Sequence, residues 1–209
     1  MFGLLGSLDH KLVTPALPVP RAADTMEIYA KRVAELLQVA AEDYIGGCSF
    51  GGLVASAIAR RQRVAGLILI GGALSSETVA PLSRRLATIS TRTPRFLMRA
   101  LLKSRPFLTH VFGKLTQQQI ALARDMLEQV PREMITRGTH LASSYFPTNL
   151  PACPIFALHG LQDRVMRPPA VPGCRILPNA GHGLAVTHAE ETTLFLRETL
   201  RCTNQGRDN

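Results

Sequence analysis

Apolar and polar positions along this chain fall into two kinds of block. Short apolar runs bounded by glycine or proline read as strands, and longer stretches with apolar residues every three or four positions read as helices. Residues 12–18 predict a short strand running into a proline-rich loop. Residues 24–41 predict a helix, with Asp24 as its cap, Glu27 three residues on, and Ile28, Val33, Leu36 and Leu37 at helical spacing. A brief strand at 43–47 enters a glycine-rich turn. Residues 53–61 form a helix of small side chains (Ala55, Ser56, Ala57, Ala59), suited to close packing on a sheet. Residues 64–70 are apolar nearly throughout, as in a parallel strand covered on both faces. Further strands are expected at 155–158 and 174–177, a loop at 165–173, and a closing helix at 189–201.

Between the third and fourth strand signals, residues 74–146 change character. Strand patterns vanish and helical ones dominate, broken at Pro94, Pro106 and Pro131 and clearest at 94–103 and 116–130. The strand pattern resumes afterwards, so this is an insertion into one domain. Strands alternating with helices imply an α/β fold, a mostly parallel sheet covered by helices on both faces. The expected division is a core of residues 1–73 and 147–209 with a helical cap at 74–146.

Composition adds two constraints. The chain has 209 residues, 46% hydrophobic and 19% charged, enough for one buried core. No apolar run approaches the ~20 residues of a membrane span, and residues 1–6 lack the basic start and cleavage site of a leader. The four cysteines, Cys48, Cys153, Cys174 and Cys202, have no metal-ligand or disulfide-framework spacing, so a reduced, cytoplasmic setting is expected. Charge is uneven. Residues 60–137 hold 14 of the 24 Lys and Arg but 4 of the 15 acids, a net +10 against −1 for the rest. Either this is a solvated helical surface or it attracts an anionic substrate, carrier protein or membrane surface.

The candidate chemistry lies at the ends of strand-like runs. Gly47-Cys48-Ser49-Phe50-Gly51 is a G-x-S-x-G turn between a strand and a helix of small residues. Such a turn lifts the serine hydroxyl off the sheet edge, and Gly47 and Gly51 are expected to be glycines because it is tight. The competing reading, a phosphate-binding turn, lacks the P-loop lysine and the G-x-G-x-x-G spacing. Serine needs a base to take its proton and an acid to hold that base. Asp163 follows the strand at 155–158, and His182, between two glycines, follows the strand at 174–177. Glu77 competes as the acid. His159 reads as structural, His188 as surface or capping, and His110 and His140 carry no motif. No metal site is expected.

Together, "GGCSFGG", "ALHGLQDRV" and "LPNAGHGLAVTHAEE" resemble the serine turn, acid-bearing segment and histidine loop of the α/β-hydrolase fold family, over residues 2–200. The resemblance implies a nucleophile at Ser49, an acid at Asp163, a base at His182, and a cap at 74–146. It implies no cofactor and a small-molecule acyl ester or thioester as partner rather than nucleic acid; the uneven charge leaves open an anionic or carrier-linked form of it. One oxyanion donor would be the Phe50 N–H. The family's second donor comes from a loop after an earlier strand, often an H-G segment, and no such segment precedes Ser49. Residues 2–8 resemble the helix after that loop, so the expectation is an N-terminally shortened sheet, with a natural start upstream of Met1 favoured. The function expected is ester or thioester hydrolysis, with a non-catalytic binding protein or an acyltransferase as alternatives.

Overall fold

The computed structural model describes residues 12–81 and 94–205. The first helix, α1 (Met26–Leu37), is capped by Thr25, whose hydroxyl accepts from Ile28 N–H. Asp24, expected as the cap, instead accepts from Arg21 N–H and pairs with the Arg32 guanidinium. The buried stripe of α1 is Met26, Tyr29, Ala30, Val33 and Ala34, spaced for one helical face. Ile28 and Leu36 lie on the opposite face, 53% and 61% exposed, because the aromatic and small residues fit the neighbouring helix better. Residues 12–20 form no strand. Pro15, Pro18 and Pro20 remove the donors a ladder would need, and Pro18 offers its carbonyl to the Tyr29 hydroxyl instead.

Four parallel strands follow in chain order: β1 (Tyr44–Cys48), β2 (Gly66–Ile70), β3 (Ile155–Gly160) and β4 (Arg175–Leu177). They lie side by side in that order, with Cys48 beside Ile70, Ile70 beside Leu158, and Gly160 beside Leu177. Their C-terminal ends therefore share one rim. β2 is buried at every position. Leu67 and Leu69 face the helix α2 (Phe50–Arg61), while Ile68 and Ile70 face Phe195, Leu196 and Leu200 of the closing helix α8 (Ala189–Gln205). This explains an apolar run without alternation: both faces are covered. β1 and β4 are the edge strands among the described residues, and β1 is only half-buried.

The insertion between β2 and β3 contains α3 (Arg95–Lys103), α4 (Arg105–Phe112), α5 (Gln117–Gln129) and α6 (Arg132–Ser144). Each of the three prolines noted in this insertion marks a helix start, since that is where a missing N–H costs nothing. Pro94 and Pro131 sit at N-caps and Pro106 lies in the first turn of α4. Thr116 and Gln119 form a reciprocal capping box on α5. α4 and α5 build a small core with Leu108, Phe112, Ile120 and Ala123 against Val186 of the short helix α7 (Leu184–Thr187). α6 behaves differently: Leu141 and Ala142 join the main core with α1 and α2. Among the described residues no helix is long and apolar enough to cross a membrane.

Candidate active site

Ser49 sits between β1 and α2 with φ 51° and ψ −121°, one of two non-glycine residues described at positive φ. A β-carbon is crowded in that conformation, so the chain holds the serine there against a local cost. The turn closes through close backbone approach. A β-carbon on Gly47 would lie 2.5 Å from the Gly51 carbonyl carbon, and one on Gly52 would lie 3.1 Å from Gly72 Cα. Gly51, expected to be sterically required, faces open space. The demand falls on Gly47 and Gly52, because the helix turns Gly51 outward. Phe50 opens α2, so its N–H is among those a helix leaves without an intrahelical partner. Its ring packs on Tyr29, 5.8 Å between centroids.

The loop after β3 carries Asp163. Gly160 permits it: a β-carbon there would lie 2.4 Å from the Ala180 carbonyl oxygen. Leu161 and Gln162 donate backbone N–H groups to Leu177 and Ala180, tying this loop to the one that follows β4. That second loop carries His182. Gly181 and Gly183 let it pass against the end of α4: a β-carbon on Gly181 would lie 2.9 Å from the Phe112 carbonyl oxygen, and one on Gly183 would lie 2.3 Å from the Phe112 ring.

The three side chains meet. His182 Nδ1–H donates to Asp163 Oδ2 at 2.7 Å, and the Ser49 hydroxyl donates to His182 Nε2 at 2.7 Å. The Asp163 side chain is 1% exposed and that of His182 8%. Asp163 Oδ1 accepts from Val165 and Met166 N–H at 2.8 and 2.9 Å. Burial opposes ionisation of this carboxyl. The hydrogen bonds from His159 and His182, the charge of His182 and the Met166 N–H outweigh it and hold the carboxyl well below the usual carboxylate range. An ionised acid fixes the imidazole with its proton on Nδ1 and leaves Nε2 free to accept from serine, an arrangement suited to removing the hydroxyl proton. Neighbouring Cys48 is no rival: desolvation pushes its thiol up to about 12.

Glu77, the other candidate acid, lies exposed on the turn Ser76–Thr78 after β2. His110 lies in α4 and His140 in α6, and His188 ends α7. His159, read from the sequence as structural, ends up fully buried beside Asp163, with Nε2 3.2 Å from Oδ2. Its place four residues before the acid, at a strand end, was the available signal. Among the described residues no group of three or more His, Cys, Asp or Glu is placed to hold a metal ion. The three cysteines described, Cys48, Cys153 and Cys174, are free.

Comparison with known proteins agrees with this fold. The family model described as "Alpha/beta hydrolase family" matches residues 4–193. Similar solved structures include an esterase from Thermogutta terrifontis (24% identity, TM-score 0.61, 95% of this chain and 78% of that one). An enol-lactonase from Burkholderia xenovorans is also similar (18%, 0.67, 87% and 75%), as is MenH from S. aureus (16%, 0.66, 90% and 82%). No curated protein matches the sequence.

Proposed function

From its membership of the alpha/beta hydrolase family, we propose that this chain is a serine hydrolase that cleaves a carboxylic ester or thioester through an acyl-enzyme on Ser49. The observation that carries this reading is the continuous chain of two 2.7 Å hydrogen bonds from Ser49 through His182 to Asp163. Residues from three separate loops at one sheet rim are oriented there for a single proton transfer. Two structurally similar proteins are an esterase and an enol-lactonase, which lends support to ester chemistry.

The steps follow from the geometry. Ser49 Oγ attacks the substrate carbonyl while His182 Nε2 takes its proton. Asp163 stabilises the imidazolium that forms. The Phe50 N–H, at the positive end of α2, donates to the oxyanion. Collapse of the tetrahedral adduct expels the alcohol or thiol, which takes the proton from His182. Water, activated by the same imidazole, then releases the acid and restores Ser49. The insertion at 74–146 serves as the cap, its α4 resting on the histidine loop through Phe112. Its basic residues favour an anionic or carrier-linked substrate.

One observation favours a second reading. β1 is one edge of the described sheet and pairs only with β2 among the described strands, so no described strand on its other side presents a second oxyanion donor. Such a protein could bind acyl compounds without turning them over. A fluorophosphonate probe separates the two. Labelling of the wild type that disappears in Ser49→Ala supports the hydrolase. Folded wild-type protein that takes no label overturns it and leaves the binding reading.

A further inference from the structure

Resting on the Ser49–His182–Asp163 reading, we infer that His159 is a positioning residue for the acid: a second, neutral imidazole that holds the Asp163 carboxylate in register with His182. His159 is fully buried at the end of β3, paired in register with Ile176. Its Nε2 lies 3.0 Å from the Met166 carbonyl oxygen and 3.2 Å from Asp163 Oδ2. A carbonyl can only accept, so the proton sits on Nε2 and is shared between Met166 and Asp163. Nδ1 is buried with no hydrogen-bond partner. A side chain present only to fill space would be expected to be apolar or fully bonded. Here an imidazole is kept with one nitrogen unsatisfied, and its other nitrogen is aimed at the acid.

The consequence is a carboxylate with all its principal acceptor directions occupied. Oδ1 takes the Val165 and Met166 N–H groups, and Oδ2 takes His182 and His159. The carboxylate cannot rotate about its Cβ–Cγ bond without breaking several bonds at once. His159 donates without bringing a net charge, so it adds no cation to compete with the imidazolium for Asp163. The same bond draws electron density from Oδ2 and moderates its attraction for the imidazolium. The titratable side chains meeting at Asp163 are His159 from β3 and His182 from the loop after β4. The segment after β2 contributes Val79, bridged to Met166, and α4 contributes Phe112 against the histidine loop. Removing the His159 donor should therefore do two things: loosen the acid, and concentrate its charge on His182, raising that imidazole's affinity for a proton.

The test compares His159→Leu, which deletes the donor, with His159→Gln, whose amide N–H can reach toward Asp163. Hydrolysis of p-nitrophenyl acetate is followed across pH, and the His182 ring is titrated by NMR in the same proteins. For His159→Leu we expect kcat lowered about 10- to 100-fold with KM little changed, the size expected for losing one hydrogen bond to a charged group. The acidic limb of kcat/KM and the His182 titration should both move to higher pH. His159→Gln should restore most of the rate and return the titration toward wild type. A folded His159→Leu protein with wild-type kcat and an unmoved His182 titration overturns the inference. So does a rate loss that tracks a lower melting temperature, leaves the titration in place and is not rescued by Gln. If the wild type takes no fluorophosphonate label, the hydrolase reading fails. The NMR titration still decides the role of His159 in that case.

Discussion

The backbone at Ser49 offers a way to measure what the serine turn costs the fold. At φ 51° and ψ −121° the residue occupies a region that glycine enters freely and other residues avoid, at a cost of about 1–3 kcal/mol. Ser49→Ala and Ser49→Gly both delete the hydroxyl and its bond to His182. Neither loses a cap interaction, because the Ser49 side chain makes no hydrogen bond to the first turn of α2. They differ in the β-carbon. Alanine keeps the strain, whereas glycine relieves it and gives back about 0.4–1 kcal/mol through the greater freedom of the unfolded chain. The net of the two terms therefore favours the glycine variant by about 1 kcal/mol, or about 2–4 °C in melting temperature for a domain of this size.

Glycine also tends to outperform alanine at helix N-caps generally, so the comparison needs a baseline. Thr116, the N-cap of α5, has an ordinary φ of −72°, and Thr116→Gly against Thr116→Ala supplies it. Denaturant unfolding at matched slope gives the four stabilities. The glycine–alanine gap at Ser49 should exceed the gap at Thr116 by about 1 kcal/mol, while both Ser49 variants lose fluorophosphonate labelling. A gap at Ser49 equal to or smaller than that at Thr116 would refute the claim that the turn stores strain.

Three other expectations follow from the same geometry. Gly47→Ala should destabilise by about 1–3 kcal/mol or more, since its β-carbon meets backbone at 2.5 Å. Gly51→Ala should instead be neutral or stabilising by up to about 1 kcal/mol, with activity kept, because it faces open space on a helix; thermal melts of both decide. Asp163→Asn should lower kcat on the order of 10⁴-fold, read by steady-state kinetics, because the amide no longer selects the imidazole tautomer that leaves Nε2 accepting. The depressed Asp163 carboxyl stabilises the fold when ionised. That contribution is complete above its unfolded value near 3.9 and is lost as pH falls below it toward the folded value. Wild type should therefore lose stability on acidification below about pH 4 more steeply than Asp163→Asn, and parallel acid profiles would count against the assignment.

Much of this architecture was legible because strands and helices here obey their simplest rules. Covered parallel strands are apolar at consecutive positions, so β2 and β3 stood out, and the prolines at 94, 106 and 131, read as breaks between helical stretches, sit at helix starts. The three side chains of the site were legible because each sits just past a strand, in a loop whose glycines have mechanical reasons to be there. Local patterns failed where tertiary partners decide. Residues 12–18 look like a strand, but a strand needs a neighbour to pair with. Ile28 and Leu36 fit a helical stripe, but Tyr29 and Ala30 fill the groove. α6 was read with the insertion, yet Leu141 and Ala142 belong to the main core. His159 was read as structural, and its contact with Asp163 at 3.2 Å is one that spacing alone does not reveal.

The described strand that leads into the serine is an edge strand and only half-buried, which raises the question of what fixes Ser49. β1 hydrogen-bonds to β2 on one side and is half-buried, so its own packing cannot supply the necessary rigidity. Direct backbone contact does. Gly47 closes on Gly51, Gly52 approaches Gly72, and Gly71, at φ 54°, brings its α-carbon beneath the His182 carbonyl. Gly71 N–H is in turn held by the Leu158 carbonyl of β3. The serine turn, the bend after β2 and the histidine loop are thus joined through positions with no side chain. The hydroxyl-to-imidazole distance is set by peptide against peptide, which deforms less than side-chain packing. On this argument the glycines of the rim belong to the candidate site as much as Ser49, His182 and Asp163, because they decide where those side chains stand.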